Sequence, residues 1–110
     1  GDEVLRATSR RQRELIRPYD RLYRYGGEEF LLSMPHTGME EARLIAERLR
    51  TGIAAVVITA EAGGGTIQVT ASIGVSEIDA AASVEEAIDR ADRALYRAKA
   101  AGRDRVEVAD

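Results

Sequence analysis

Between Pro18 and Pro35 stand two β-prone runs, Arg21-Leu22-Tyr23-Arg24-Tyr25 and Glu28-Glu29-Phe30-Leu31-Leu32-Ser33-Met34, separated only by Gly26-Gly27. Proline stops a helix on the upstream side and closes the second run, while paired glycines accept the positive φ that tight hairpin turns require. The segment is therefore predicted to be a β-hairpin, and every other element has to be arranged around it.

Upstream, Asp2 to about Ile16 reads as a helix, with Asp2 and Glu3 suited to its N-terminal dipole. Thr8, Ser9 and Gln12 interrupt its apolar face, so it is expected to be the least stable element. A second helix is predicted over Met39–Arg50, where Ala42, Ile45, Ala46 and Leu49 recur at helical spacing and Gly52 is the expected stop. Two strands, Ile53–Ala60 and Thr66–Val75, are expected on either side of Gly63-Gly64-Gly65. Ser83-Val84-Glu85-Glu86 is a capping box opening a helix that runs to Gly102, and Val106–Val108 is a final short strand. The order α-β-β-α-β-β-α-β implies an open α/β or α+β sheet with helices on one or both faces. Sheets of this kind normally open with a strand, so the chain is expected to begin in mid-domain.

At 110 residues the chain is one domain at most. It contains no cysteine, which excludes a disulfide scaffold and a thiolate zinc site. Its longest apolar run, Ile53–Ile58, falls far short of the roughly 20 residues that span a bilayer. Residues 1–24 hold seven arginines against four acids, yet 16 basic and 19 acidic side chains overall give a net charge of −3. That balance argues against a general nucleic-acid binder and, alone, describes a solvated arginine-rich helix face.

A Gly-Gly bend followed at once by Glu28-Glu29 leaves bare backbone that a charged ligand can approach, beside hard oxygen ligands for Mg²⁺. Taken alone, such a turn is more often a polar hairpin tip. In context, Arg24-Tyr25-Gly26-Gly27-Glu28-Glu29-Phe30 resembles the signature of the GGDEF family, the bacterial diguanylate cyclases, with glutamate at the third position. Gly1-Asp2-Glu3-Val4-Leu5 is similar to the start of that family's first long helix. Ala71-Ser72-Ile73-Gly74-Val75-Ser76 resembles a later strand, and the run from Ala91 to Arg103 its closing helix and loop.

The resemblance implies a palm-like, mostly antiparallel sheet with flanking helices, which condenses two GTP into cyclic di-GMP and two pyrophosphates, each of two facing subunits holding one GTP. By position, Glu28 and Glu29 match the family's catalytic and metal-ligating acids, for Mg²⁺ or Mn²⁺, and Gly26 and Gly27 the glycines against which nucleotide lies. Asp2 matches a carboxylate that reads guanine, with a helix N-cap as its plainer role. Lys99 and Arg103 match the cations on the β- and γ-phosphates, and Arg24 is a weaker substrate contact. Arg17-Pro18-Tyr19-Asp20 resembles the family's product-inhibition motif, with Arg48 as its further arginine. An arginine fork suits phosphate and stacks on guanine, while the plainer reading of Arg17 and Asp20 is a structural ion pair.

The family's first strand, with another metal-binding aspartate, and the following asparagine find no match among these residues. The resemblance thus implies a partial domain over residues 1–110, lacking its first central strand, inactive by itself, and prone to assemble as a dimer or higher species through exposed strand edges. It also implies a cytoplasmic domain, whose parent protein can be membrane-anchored. The rival reading is a non-catalytic module that binds cyclic di-GMP or GTP. His36 is expected at the surface, and Tyr19, Tyr23, Tyr25 and Tyr96 as packing or strand-face residues.

Overall fold

The hairpin forms where the glycines demand it, but with its bend shifted by one residue. In the computed structural model, which describes residues 2–59 and 63–110, strands β1 (Arg21–Gly26) and β2 (Glu29–Ser33) pair antiparallel across a turn at Gly27 and Glu28. Gly26 belongs to the strand rather than to the turn. The pairing steps from Arg24↔Phe30 to Gly26↔Glu29, leaving Tyr25 as a bulge. Gly27 has φ +46°, the left-handed region that a residue with Cβ enters only at a cost. Glu28 is thereby placed at the exposed apex.

Helix α1 (Asp2–Leu15) precedes the hairpin, and α2 (Met39–Ala54) follows it. Thr8 and Gln12, which read as defects in the apolar face of α1, are buried. Thr8 Oγ1 donates to the Val4 carbonyl at 2.8 Å and Gln12 Nε2 to the Thr8 carbonyl at 3.3 Å, so helix backbone satisfies them. Gly52 does not end α2. It lies inside the helix against the Leu15 side chain of α1, where the missing side chain lets the helices approach. Carrying Ile53 into α2 as a buried helical residue also shortens the strand expected over Ile53–Ala60. What remains is β3 (Ile58–Thr59), paired with β4 (Thr66–Ile67); Ala60 lies outside the described residues.

The single strand expected over Thr66–Val75 is likewise divided, with irregular chain between β4 and β5 (Ile73–Val75). Helix α3 (Val84–Ala100) then returns the chain to β6 (Val106–Val108), which pairs parallel with β5 as a helical crossover permits. Ser83 caps α3 by accepting from the Glu86 N–H at 3.1 Å. Helices and strands are thus mixed as an α+β fold requires. Among the described residues, however, the strands form three two-stranded ribbons, two antiparallel and one parallel, rather than one sheet.

The core joins Ala42, Ala46 and Val75 to the half-buried Met34, Met39, Ile73, Val106 and Val108. The tyrosines contribute little to it. Tyr19, Tyr23, Tyr25 and Tyr96 are all more than half exposed, because the hairpin turns one face to solvent and α3 is buried through its alanines. His36 is exposed, as expected. No helix of the described residues is long and apolar enough to cross a membrane.

Gly74 sets the contact between β5 and α3. A Cβ at this position would run into the Ala91 carbonyl oxygen and the Leu95 amide nitrogen, with Leu95 Cα at 3.0 Å. Those atoms are helix backbone and cannot rotate aside. Gly74→Ala is therefore expected to destabilise the chain by about 3 kcal/mol, read as a lowered midpoint in chemical denaturation.

Candidate active site

A cavity of about 310 Å³ opens between β2 and β5, with α1, α2 and α3 supplying its apolar walls through Leu5, Leu49, Ile53 and Leu95. Glu28 and Glu29 line it from the hairpin, and Lys99 and Arg103 from the end of α3. Lys99 Nζ stands 3.8 Å from Glu29 Oε2, spanning the two elements. Both side chains are about two-fifths exposed, so the pair adds little stability, and it sets opposite charges side by side at the opening.

The end of α3 is built to present those cations. The Gly102 N–H donates to the Lys99 carbonyl at 3.3 Å and the Arg103 N–H to the Ala98 carbonyl at 2.9 Å, with Gly102 at φ +124°. This double closure is a Schellman motif. Arg103 and Asp104 continue with φ +64° and +47°, a sparsely populated conformation for residues carrying Cβ. Tertiary contacts hold it there: Asp104 Oδ1 accepts from Arg50 Nη1 at 2.9 Å, and the Asp104 N–H donates to Ser72 Oγ at 3.2 Å. Hydrogen bonds from Arg50 to Glu47 first, and to Asp104 second, raise the Arg50 pKa above its ordinary value. Arg50, Glu47, Asp104 and Ser72 thus hold the backbone beside Arg103, and sequence reading did not name them for this. Glu47 and Arg50 lie three apart on one helix, but nothing local connects Arg50 to Asp104.

The other expected residues are distributed around this centre. Gly26 and Gly27 form the approach to the bend, and a Cβ added at either would meet nothing within 4 Å. Asp2 is exposed in the first turn of α1 and does not line the cavity. Arg24 turns back on the hairpin, its Nε donating to the Gly27 carbonyl at 2.8 Å and its Nη2 to the same oxygen.

Arg17 and Asp20 lie apart from the cavity as an ion pair in which Asp20 is buried and Arg17 half-buried. Arg17 Nη2 meets Asp20 Oδ1 at 2.9 Å, the Arg17 N–H donates to Oδ2 at 2.9 Å, and the Asp20 side chain is fully buried. Arg17 also reaches Thr37 Oγ1 and, at 3.2 Å, Glu41 Oε2, while its guanidinium covers the Tyr19 ring at 4.8 Å. Arg48 is exposed on α2 seven residues after Glu41, and so on the same helical face, but makes no ion pair with either residue among the described contacts. Thr37 and Glu41 are partners of Arg17 that sequence reading did not name.

The profile of the family described as "Diguanylate cyclase, GGDEF domain" matches residues 1–105. The chain belongs to the GGDEF family. It is 42% identical over 109 residues to the diguanylate cyclase DgcP of Pseudomonas aeruginosa, covering 99% of this chain but only 16% of that protein. Among solved structures, the GGDEF domain of DgcB from Caulobacter crescentus in complex with c-di-GMP superposes with a TM-score of 0.91 at 28% identity, covering 97% of this chain and 63% of that one. The active GGEEF domain of a diguanylate cyclase from Vibrio cholerae superposes with a TM-score of 0.81 at 29% identity, covering 99% and 68%.

In this GGDEF chain, burial pushes the Asp20 pKa up, but the side-chain and backbone hydrogen bonds from Arg17 prevail and hold it below the ordinary value. A carboxylate with a depressed folded pKa stabilises the fold fully above its unfolded pKa of about 3.9 and loses that contribution as pH falls through the folded value. The difference in thermal midpoint between the parent chain and Asp20→Asn should therefore hold steady from pH 7 to about pH 5, then narrow below about pH 4.

Proposed function

We propose that this GGDEF chain is the catalytic domain of a diguanylate cyclase that condenses two GTP into cyclic di-GMP and two pyrophosphates. One observation carries the proposal: Glu28 and Glu29 face Lys99 and Arg103 across one cavity beside an uncovered glycine bend. Acids and cations so arranged suit a nucleoside triphosphate, whose phosphates need both fixed positive charge and a metal counter-ion. The names of the relatives support the same reading.

In this reading Lys99 and Arg103 hold the β- and γ-phosphates, Gly26 and Gly27 let nucleotide lie against the turn, and Asp2 accepts from the guanine edge. Arg24 is a weaker contact near the bend. Hard carboxylate oxygens at Glu28 and Glu29 fit a magnesium or manganese ion that takes its other ligands from water and substrate phosphates. When bound, such an ion neutralises charge on the phosphate oxygens as the 3′-hydroxyl of one nucleotide attacks the α-phosphorus of the other. Two copies of the domain, each holding one GTP, bring the reacting atoms together, so the working form is a homodimer. A domain that consumes GTP belongs in the cytoplasm.

Among the described residues no three or more His, Cys, Asp or Glu side chains converge as a metal site. The 110 residues alone should accordingly hold the metal weakly and form little product. Within the longer protein carrying this domain, Glu28→Gln and Lys99→Ala should each reduce kcat/KM for GTP by about 100-fold or more. Product at the longer protein's rate from the 110 residues alone would remove the claim of inactivity, and undiminished turnover in both variants would remove the catalytic reading.

Arg17, Asp20 and Arg48 are proposed as a second site, for the cyclic dinucleotide product. Arg48 is free to swing toward a ligand, and the Arg17 guanidinium, already stacked on Tyr19, can exchange Glu41 for phosphate. Cyclic di-GMP should raise the thermal midpoint of the chain, and Arg48→Ala should abolish that shift; an equal shift in the variant would dismiss the site.

A further inference from the structure

Among the described residues the only arginines that form ion pairs are Arg11, Arg17, Arg43 and Arg50, so what sets Arg6, Arg10 and Arg13 apart is that they line one groove together. Arg11, Arg43 and Arg50 each pair with a carboxylate three residues away, at 3.1, 2.6 and 3.0 Å. Arg6, Arg10 and Arg13 are exposed at i, i+4 and i+7 on one face of α1, and none forms an ion pair among the described residues, not even Arg6 with Glu3 three positions earlier. They face Arg24 across a groove of about 430 Å³ that also exposes Leu5 and Phe30. Arg24 is fixed there by its bonds to the Gly27 carbonyl and lies 6.0 Å from the centre of the Phe30 ring.

Like charges at i, i+4 destabilise a helix by a few tenths of a kcal/mol per pair, and a fourth cation across the groove adds to the repulsion. The arrangement costs stability in the free chain and is relieved by a multivalent anion. We propose that this groove, formed by Arg6, Arg10, Arg13 and Arg24, binds a condensed phosphate group, either free pyrophosphate or the triphosphate of a nucleotide. Guanidinium forks engage phosphate oxygens bidentately, which favours phosphate over a simple halide. The helix face from Arg6 to Arg13 is about 10 Å long, enough to grip a run of two or three phosphates and too short to track a duplex. Glu28, Glu29, Lys99 and Arg103 do not line this groove, and only Leu5 and Phe30 are common to it and the cavity. Arg24 is shared with the proposed GTP contacts, so the three arginines of α1 are what set this groove apart.

The test is calorimetric titration of the chain with sodium pyrophosphate, and separately with GTP, at low ionic strength. It compares the parent with Arg6→Gln/Arg10→Gln/Arg13→Gln and with Lys99→Ala/Arg103→Ala. Affinity for at least one probe should fall by about tenfold or more in the triple variant, and the fall should recur when the three substitutions are added to Lys99→Ala/Arg103→Ala, in which the cavity's own phosphate contacts are already removed. Loss for pyrophosphate alone identifies a free condensed phosphate, and loss for both identifies a nucleotide triphosphate; either supports the site. The ligand-free triple variant should melt no lower than the parent, because glutamine keeps the helix and removes the repulsion. Equal affinity in the triple variant, loss only in the double variant, no binding of either probe by the parent, tighter binding of a duplex oligonucleotide, or a lowered ligand-free midpoint would each overturn the proposal.

Discussion

Where β5 crosses α3, strand backbone meets helix backbone with no side chain between them, and the position of the cavity cations Lys99 and Arg103 follows from that contact. Gly74 seats the strand against Ala91 and Leu95, while Ala87, Ala94 and Ala98 bury the small-residue face of the helix. Small side chains bring backbones close, and close backbones leave little freedom to tilt. The last turn of α3 is thereby carried to the mouth of the cavity, where Lys99 and Arg103 stand across from the hairpin acids. A bulkier seam would move the whole helix end rather than one side chain.

The hairpin and the helix end reach that cavity by different physical means. The hairpin depends on local chemistry: a left-handed glycine at the bend and a bulge at Tyr25 aim Glu28 and Glu29. The helix end depends on distant chemistry, since Arg103 and Asp104 hold left-handed backbone conformations while Arg50 and Ser72 anchor Asp104. Arg17 and Asp20 form a third arrangement, with the Asp20 carboxylate buried against a half-buried guanidinium. Opposite charge is thus compensated inside the fold at Asp20, at the surface at Asp104 and across the cavity at Glu29, while Arg6, Arg10 and Arg13 form no ion pair among the described residues.

Motif spacing made the hairpin, the capped third helix and the family legible before any coordinates, because glycine bends, serine caps and helical periodicity are short-range signals. The middle of the chain was less legible. Ile53 reads equally well as a buried strand or a buried helix residue, and packing of α2 on α1 at Gly52 decided for helix. The run from Thr66 to Val75 looked continuous, yet it splits into two strands that join different ribbons. Thr8 and Gln12 looked like flaws in α1, but bonds to its own carbonyls let them be buried.

The sequence by itself determined which residue types stand at the bend, at the end of the third helix and along the basic face of the first, together with the family that their order marks. Local backbone preferences and side-chain chemistry are written residue by residue, so they survive without coordinates. Only the tertiary structure decided that Lys99 comes within 3.8 Å of Glu29, that Asp104 is anchored by Arg50, and that Arg17 is enclosed by Asp20, Thr37 and Glu41. These contacts join residues up to 70 positions apart in number, and their geometry is set by how helices and strands pack, which no local pattern encodes.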